Sequence, residues 1–189
     1  TLTVQTSTQS QHTIRTKRLL MAAGLYDAIR IHGNTESHRP TRNRPPNNRI
    51  GLGTTLPATS GAIAERHLVM AVGNRGYCGF VRLEDDSIDV AAAVHPSLLQ
   101  QSATPADALT RLLTEAFQDT ECPIDTSLLQ GSGLLATPQL THHTGHVDPQ
   151  CTRILRVGDA VGYIEPFTGE GIGWALLSAR LAMEALIDI

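Results

Sequence analysis

One stretch, residues 153–174, constrains the fold of this chain more than any other part of its sequence. Strand-forming residues dominate positions 154–157, and Gly158 after them permits a sharp turn of the backbone. Asp159 then follows the carboxyl end of the predicted strand, which is where open α/β sheets bind their ligands. The order of these residues predicts a strand, an acidic side chain at its end, and a connection that leads into a helix.

The connection after Asp159 is rich in residues without bulky side chains. Pro166 fixes one backbone angle, and Gly169, Gly171 and Gly173 leave backbone N–H groups accessible at the start of the coming helix. A helix N-terminus carries a partial positive charge of about half an elementary charge. The segment therefore suits a flat, electron-rich ligand that the backbone approaches closely. The alternative is an ordinary strand–helix connection, which needs neither the acid nor so many glycines.

These residues resemble the second flavin-binding motif of the FAD-dependent oxidoreductases with the p-hydroxybenzoate-hydroxylase-like fold. The resemblance lies in Gly-Asp-Ala-x-Gly at 158–162 and Pro-Phe-Thr-Gly-Glu-Gly-Ile-Gly at 166–173, and it is greatest with the geranylgeranyl-reductase-like branch. It implies an FAD cofactor and an α/β (α+β) fold, in which part of an FAD-binding Rossmann-like domain carries an inserted antiparallel-sheet substrate domain.

The resemblance also implies roles for individual residues. Asp159 would hydrogen-bond the ribityl chain of FAD, and the loop at 166–173 would lie beside the isoalloxazine ring. The activity implied is that of a reductase or monooxygenase acting on an apolar small molecule such as an isoprenoid, with NAD(P)H or another electron donor; neighbouring branches hydroxylate or halogenate aromatic compounds. No side chain stands out as a catalytic acid or base. The implied cofactor-binding residues are Gly158, Asp159, Ala160, Pro166, Thr168, Gly169, Gly171, Ile172 and Gly173.

Residue patterns and the resemblance together divide the chain into three segments. The resemblance implies that residues 1–31 are an FAD-domain segment; within it, alternating β-branched residues predict a hairpin and the apolar run at 19–24 predicts a buried parallel strand. Residues 138–189 are the return of that domain. The last helix, from Trp174 onward, is apolar on nearly every face, which predicts that it is buried.

Residues 32–137 form the predicted substrate domain, an antiparallel sheet plus a helix. Strands are expected at 50–55, 67–72, 77–83 and 88–94, the last three joined as a meander by short turns. Thr104-Pro-Ala-Asp107 predicts the N-terminus of an amphipathic helix that runs to about Gln118. Tyr77 and Phe80 are candidate substrate-pocket residues, although aromatic residues in strands are also common core residues.

Parts of the family pattern are missing from these 189 residues. Ala23 stands where the family has an aspartate, Arg156 replaces an apolar strand residue, and no G-x-G-x-x-G lies in a strand–helix context. Gly131 to Ala136 fits G-x-G-x-x-A, but no convincing strand precedes it and Pro138 would close the helix that should follow. We therefore expect weak or no FAD retention by this chain alone. A fragment of a longer reductase and a non-catalytic truncated homologue that binds a partner are the two alternatives.

Composition and residue spacing also bear on nucleic-acid binding, phosphate binding, metal binding and localisation. A net charge of −3 gives no nucleic-acid footprint. The arginine- and proline-rich segment 31–49 could contact a phosphate, although such segments are more often solvated connections. The histidines at 142–146, with Cys151 nearby, lack rigid ligand spacing, so no metal is predicted. Three cysteines without a C-x-x-C, and no signal peptide or long apolar run, favour a cytoplasmic protein without a transmembrane segment.

Overall fold

The computed structural model describes residues 2–5, 8–24, 48–58, 63–143, 153–165 and 167–187. The chain divides into two compact units. The terminal unit joins Thr1–Arg42 to His142–Ile189, and the central unit is Asn43–Thr141. The central unit is thus an insertion between two sequence segments that fold together.

An antiparallel sheet forms the framework of the central unit. Its strands are β4 (Ile50–Leu56), β5 (Leu68–Gly73), β6 (Gly76–Arg82), β7 (Ile88–Val94) and β8 (Leu135–Gln139). They pair in the spatial order β5-β6-β7-β4-β8 in the described residues. The predicted meander of β5, β6 and β7 is confirmed, because short turns join consecutive strands that pair antiparallel. The last strand, β8, was not predicted.

Two helices follow β7 and cover one face of this sheet. They are α1 (Pro96–Gln100) and α2 (Pro105–Ala116), and α2 contacts β5, β6 and β7. The predicted N-terminus is confirmed, since Thr104 and Asp107 form a capping box; the helix ends two residues earlier than expected. Fully buried side chains between α2 and the sheet form the core of the unit, among them Phe80, Val90, Val94, Leu109, Leu112 and Leu113.

The terminal unit contains a hairpin, a parallel strand pair and a long helix. The hairpin pairs β1 (Leu2–Gln5) with β2 (Gln11–Ile14), as predicted. The parallel pair joins β3 (Leu19–Met21) to β10 (Ile154–Arg156), which confirms the predicted parallel strand but shortens it. Two short strands, β9 (His142–His143) and β11 (Gly162–Tyr163), also pair, and α3 spans Gly171–Ile187.

The predicted burial of the last helix is wrong for the part of the chain that is described. In α3 only Ala182 is buried, while Ile172 is 77% exposed and Leu176 is 68% exposed. An apolar helix becomes buried only where other elements cover all of its sides. Within the described terminal unit, α3 contacts β10 and the turn at Gly158–Ala160, which cover one side of it.

Asn48 joins the two ends of the central unit, and we expect its replacement by alanine to destabilise that unit. The side chain is 2% exposed. Its Nδ2 donates to the carbonyl oxygen of Thr141 at 2.6 Å, and the Thr141 N–H donates to its Oδ1 at 2.7 Å. Because Asn48→Ala leaves both backbone groups without these partners, the free energy of unfolding should fall by about 1–3 kcal/mol. Urea unfolding followed by circular dichroism measures this change.

Gln100→Ala is the matched control for Asn48→Ala, because Gln100 is exposed near the end of α1. Exposed substitutions of this kind change stability by less than about 0.5 kcal/mol. Equal effects of the two substitutions would contradict the role given to Asn48.

The capping box of α2 should make stability depend on acid pH. Hydrogen bonds from Thr104, and a further one from Gln130, lower the pKa of the Asp107 carboxyl. A lowered pKa means that the charged form is favoured in the folded state, so its stabilisation is present above the ordinary aspartate pKa and is lost as pH falls through the lowered value. We expect Asp107→Asn to be less stable than the parent at pH 7. The difference in the free energy of unfolding between the two proteins should shrink in acid, which urea unfolding at pH 7 and at acid pH measures. A difference independent of pH would contradict the assignment.

Candidate cofactor site

The parallel pairing of β3 with β10 places the carboxyl ends of both strands at one edge of the terminal unit. Leu155 lies opposite Leu20, and the N–H of Val157 donates to the carbonyl oxygen of Met21 at 2.9 Å. Both strands run in the same direction, so the residues that follow them leave from the same edge. Asp159 leaves after β10, and Ala23, where the resembling family has an aspartate, leaves after β3. The sequence departure at Ala23 therefore lies at the edge where the candidate site is built.

Gly158 makes the turn at the end of β10. Its φ of +59° lies in the left-handed region, which a residue with a side chain adopts only at a cost. Its N–H donates to Oγ of Ser178 in α3 at 2.8 Å, and that hydroxyl donates in turn to the carbonyl oxygen of Ala175 at 2.9 Å. The amide of Gly158 is thus used within the protein, so Gly158 shapes the site by its backbone angle and by this bond.

Asp159 lies in the short 3₁₀ turn Gly158–Ala160 and is partly exposed. Ala160 beside it is 4% exposed, which anchors the turn, and the N–H of Val161 closes it on the Gly158 carbonyl at 3.0 Å. No described side chain donates a hydrogen bond to the Asp159 carboxylate. This acid therefore has oxygen atoms that can accept hydrogen bonds from a ligand.

Tyr163, in β11, adds a second polar group next to this turn. Partial burial, followed by the negative charges of Asp159 and Glu165, raises the pKa of its phenol. The phenol is therefore protonated at neutral pH and presents an O–H donor close to Asp159. No motif in the sequence indicated Tyr163.

The N-terminus of α3 is open in the described residues. The N–H of Trp174 makes the first helical bond, to the carbonyl oxygen of Glu170 at 3.0 Å. The preceding N–H groups of Gly171, Ile172 and Gly173 donate to no described side chain, and a Cβ on Gly173 would meet no atom within 4 Å. These N–H groups are the ones that a helix start leaves available for an anion.

The other predicted cofactor-binding residues lie in the connection before α3. Thr168 and Gly169 are exposed, and α3 itself packs against the Gly158–Ala160 turn. Pro166 lies outside the described residues. The structure thus brings the start of the motif and its helix together in one unit.

Tyr77 and Phe80 do not line one surface. They lie three residues apart in β6, so their side chains point to opposite faces of the sheet. Phe80 is fully buried in the core against α2, whereas Tyr77 lies on the other face with the Arg49 guanidinium 5.8 Å from its ring centroid. A shared role of the two side chains in one pocket therefore has no support, and Phe80 belongs to the core.

Three further sequence features bear on the class of site. Gly131–Ala136 is followed by strand β8 and not by a helix, so it does not form a dinucleotide-binding turn. Among the described residues, no group of three or more His, Cys, Asp or Glu side chains could hold a metal ion. Residues 144–152, with His146 and Cys151, lie outside that part of the chain, as do residues 25–47. No helix in the described ranges is long and apolar enough to cross a bilayer.

Ser178 should hold the Gly158 turn against α3, and we expect Ser178→Ala to loosen it. The substitution leaves a part-buried N–H without its acceptor, which costs about 1–3 kcal/mol. Hydrogen exchange of the Gly158 amide, measured by NMR, should become at least about tenfold faster, since about 1.4 kcal/mol corresponds to a factor of ten.

Ser178→Thr is the matched variant, because threonine keeps a hydroxyl at the same position and should largely retain the protection of the amide. Equal exchange rates in the parent chain and in Ser178→Ala would contradict this role.

Comparisons with known proteins bear on the fold of the chain. No protein-family model matches the chain. Conditioned medium factor receptor 1 of Dictyostelium discoideum is 57% identical over 35 residues, which is 18% of this chain and 7% of that protein. A match this short carries no conclusion about the whole chain.

Solved structures resemble the chain over most of its length. A peptidyl tryptophan dihydroxylase essential for tryptophylquinone cofactor biogenesis matches 95% of this chain and 38% of its own, with a TM-score of 0.64 and 20% identity. The myxobacterial chondrochloren halogenase, a variant of FAD-dependent halogenases, matches 95% and 41%, with a TM-score of 0.64 and 12% identity. A flavoprotein/dehydrogenase from Cytophaga hutchinsonii matches 92% and 41%, with a TM-score of 0.62 and 12% identity.

The chain therefore spans about two fifths of the length of the structures that it resembles. At these identities the likeness shows the fold and no more. The expected mixed α/β fold with an antiparallel sheet is confirmed, and the chain shares it with the dihydroxylase and the halogenase named above.

Proposed function

We propose that this chain is part of an FAD-dependent oxidoreductase that acts on an apolar small molecule. One observation carries the proposal: a partly exposed acid, Asp159, and the open N-terminus of α3 lie in the same unit. The hydrogen bond between Gly158 and Ser178 holds the turn that carries Asp159 against α3. The likeness to a halogenase described as FAD-dependent and to a flavoprotein supports the same cofactor. When bound, the flavin supplies the electron-transfer chemistry.

The residues at the site fit the polar edges of a flavin. The carboxylate of Asp159 can accept hydrogen bonds from the hydroxyl groups of a ribityl chain. The N–H groups of Gly171, Ile172 and Gly173 can donate to an electron-rich ring edge, and the helix start adds a partial positive charge of about half an elementary charge. Because that charge favours the anionic form of the ring, these residues would stabilise the reduced state of the cofactor.

The central unit is proposed as the substrate domain. On the sheet face opposite α2, the cross-strand row Met70, Gly79, Ala91, Gly53 and Leu135 consists of apolar and small residues. Leu135 is 76% exposed, so this face is open and apolar in the described unit. Such a surface suits an apolar substrate such as an isoprenoid, which is the substrate class of the geranylgeranyl-reductase-like branch; NAD(P)H is the proposed electron donor.

A second function is favoured by the exposed apolar side of α3. Trp174 is 63% exposed and Met183 is 61% exposed, in a helix that has few charged residues. Exposed apolar surface of this kind commonly contacts another polypeptide. The alternative is therefore a non-catalytic homologue that binds a partner through α3.

A comparison of three flavins tests the proposal. We expect FAD, FMN and riboflavin to bind the folded chain with affinities within about threefold of one another and weakly, because no dinucleotide-binding motif for the ADP half is present. Asp159→Asn should weaken all three by about 10- to 100-fold, since a hydrogen bond to a charged group contributes about 1.5–3 kcal/mol. Quenching of flavin fluorescence measures the affinities, and bleaching by NADPH or dithionite measures redox competence.

Asp119→Asn is the matched control, because it removes the same charge from an exposed site in the central unit. Equal flavin affinities of the parent chain and Asp159→Asn would contradict the site. Absence of flavin binding by the folded chain would favour the partner-binding alternative. Tightly held, stoichiometric FAD would contradict the expected weak retention.

A further inference from the structure

A polar cavity of about 310 Å³ lies in the central unit, apart from the residues assigned to flavin. It lies at the end of the sheet where β4 and β6 begin and where β5 and β7 end, since Gly76 and Ile50 both pair with Val94. Its lining in the described residues consists of Arg49, Asn74, Arg75, His95 and Ser97. None of these residues is acidic.

The turn between β5 and β6 brings two of the lining residues to the cavity. Asn74 and Arg75 are the turn residues, and the N–H of His95 donates to the Arg75 carbonyl at 2.7 Å, which joins the turn to the end of β7. A Cβ on Gly76 would lie 2.4 Å from the carbonyl oxygen of Ala93. Only glycine therefore permits this close approach, and the cavity wall depends on it.

Contacts within the protein hold the donors of the cavity in place. The Arg49 guanidinium lies over the Tyr77 ring, and Nη1 of Arg75 donates to Oε1 of Gln101 at 2.7 Å. Nδ1 of His95 and Oγ of Ser97 are 2.7 Å apart, so the Nε2 edge of the imidazole is the one left for a ligand. Held side chains lose less conformational freedom on binding, which favours a real binding site over a chance cluster.

The charges around the cavity favour an anion. Two arginines line it, and Arg111, outside the lining, donates from its Nη1 to the carbonyl oxygen of Gln101, the residue whose side chain accepts from Arg75. The Glu115 carboxylate accepts a hydrogen bond from the Asn74 N–H at 2.9 Å but is not part of the lining. The described lining therefore carries two guanidinium groups and no carboxylate.

We propose that this cavity binds the phosphate group of a small molecule. Planar guanidinium groups bind phosphate oxygens in pairs. Here one lies just before β4 and the other in the β5–β6 turn, while the imidazole of His95 and the hydroxyl of Ser97 lie at the start of α1. A carboxylate offers two acceptor oxygens, whereas a tetrahedral phosphate offers three or four, which suits a lining that contains several donor groups. This assignment is independent of the flavin proposal, and it gives a role to Arg49, the last arginine of the arginine-rich segment.

Titration of the full chain with inorganic phosphate, followed by two-dimensional NMR, tests the assignment. We expect saturable shifts of the Asn74, Arg75 and Ser97 amides with a dissociation constant on the order of 1 mM or tighter. A phosphomonoester, 2′-AMP, should give the same shifts, and acetate should bind at least about tenfold more weakly. Arg75→Gln should weaken phosphate binding by at least about tenfold, and Arg75→Lys, which retains the charge, by less.

Arg82→Gln is the matched control, because it removes the same charge from the opposite end of β6, where Arg82 pairs with Asp86. It should leave phosphate binding unchanged, and the amide spectrum of each variant reports whether it is folded. The proposal is overturned if no saturable shift occurs, if acetate binds as tightly as phosphate, or if Arg82→Gln weakens binding as much as Arg75→Gln. Should Arg75→Gln not fold, the ratio of phosphate to acetate affinity in the parent chain and in Arg75→Lys decides the matter.

Discussion

The hydrogen bond from the Gly158 amide to the Ser178 hydroxyl is the contact on which the candidate site depends. At a length of 2.8 Å it joins the end of β10 to the side of α3. The turn between them needs a left-handed backbone conformation at Gly158, which glycine adopts at little cost. With this contact in place, the turn that carries Asp159 and the helix that begins at Gly171 form one local body. The geometry of the site is therefore determined by contacts within the terminal unit. It does not depend on the central unit, which is inserted between the two segments.

Local patterns were enough to predict much of the fold, because their causes are local. The capping box at Thr104 satisfies backbone N–H groups within one turn, so a four-residue pattern determines where α2 begins. The meander follows from turns too short for any pairing but antiparallel. The flavin motif itself predicted an acid and a helix start in the right order. It did not indicate Ser178, although this serine is the polar residue among apolar ones on the side of α3 that meets β10.

The features that the sequence did not predict depend on neighbours distant along the chain. Pro138 was interpreted as closing a helix, yet it lies in β8 at the edge of the sheet, where a missing N–H is tolerated. The opposite orientation of Tyr77 and Phe80 is an exception, because it follows from strand alternation and could have been predicted from the sequence. Burial of α3 could not be derived from its composition. An apolar face shows only that packing against another element would be favourable, and not that such an element is present.

Exposure of α3 links its two proposed roles. The helix whose N-terminus would donate to a flavin also presents Leu176 and Leu181, 68% and 55% exposed, on its sides. A polypeptide that covers those side chains would bury apolar surface without using the N–H groups at the helix start. The two proposed roles therefore use different surfaces of α3, so flavin affinity and partner binding are separate measurements.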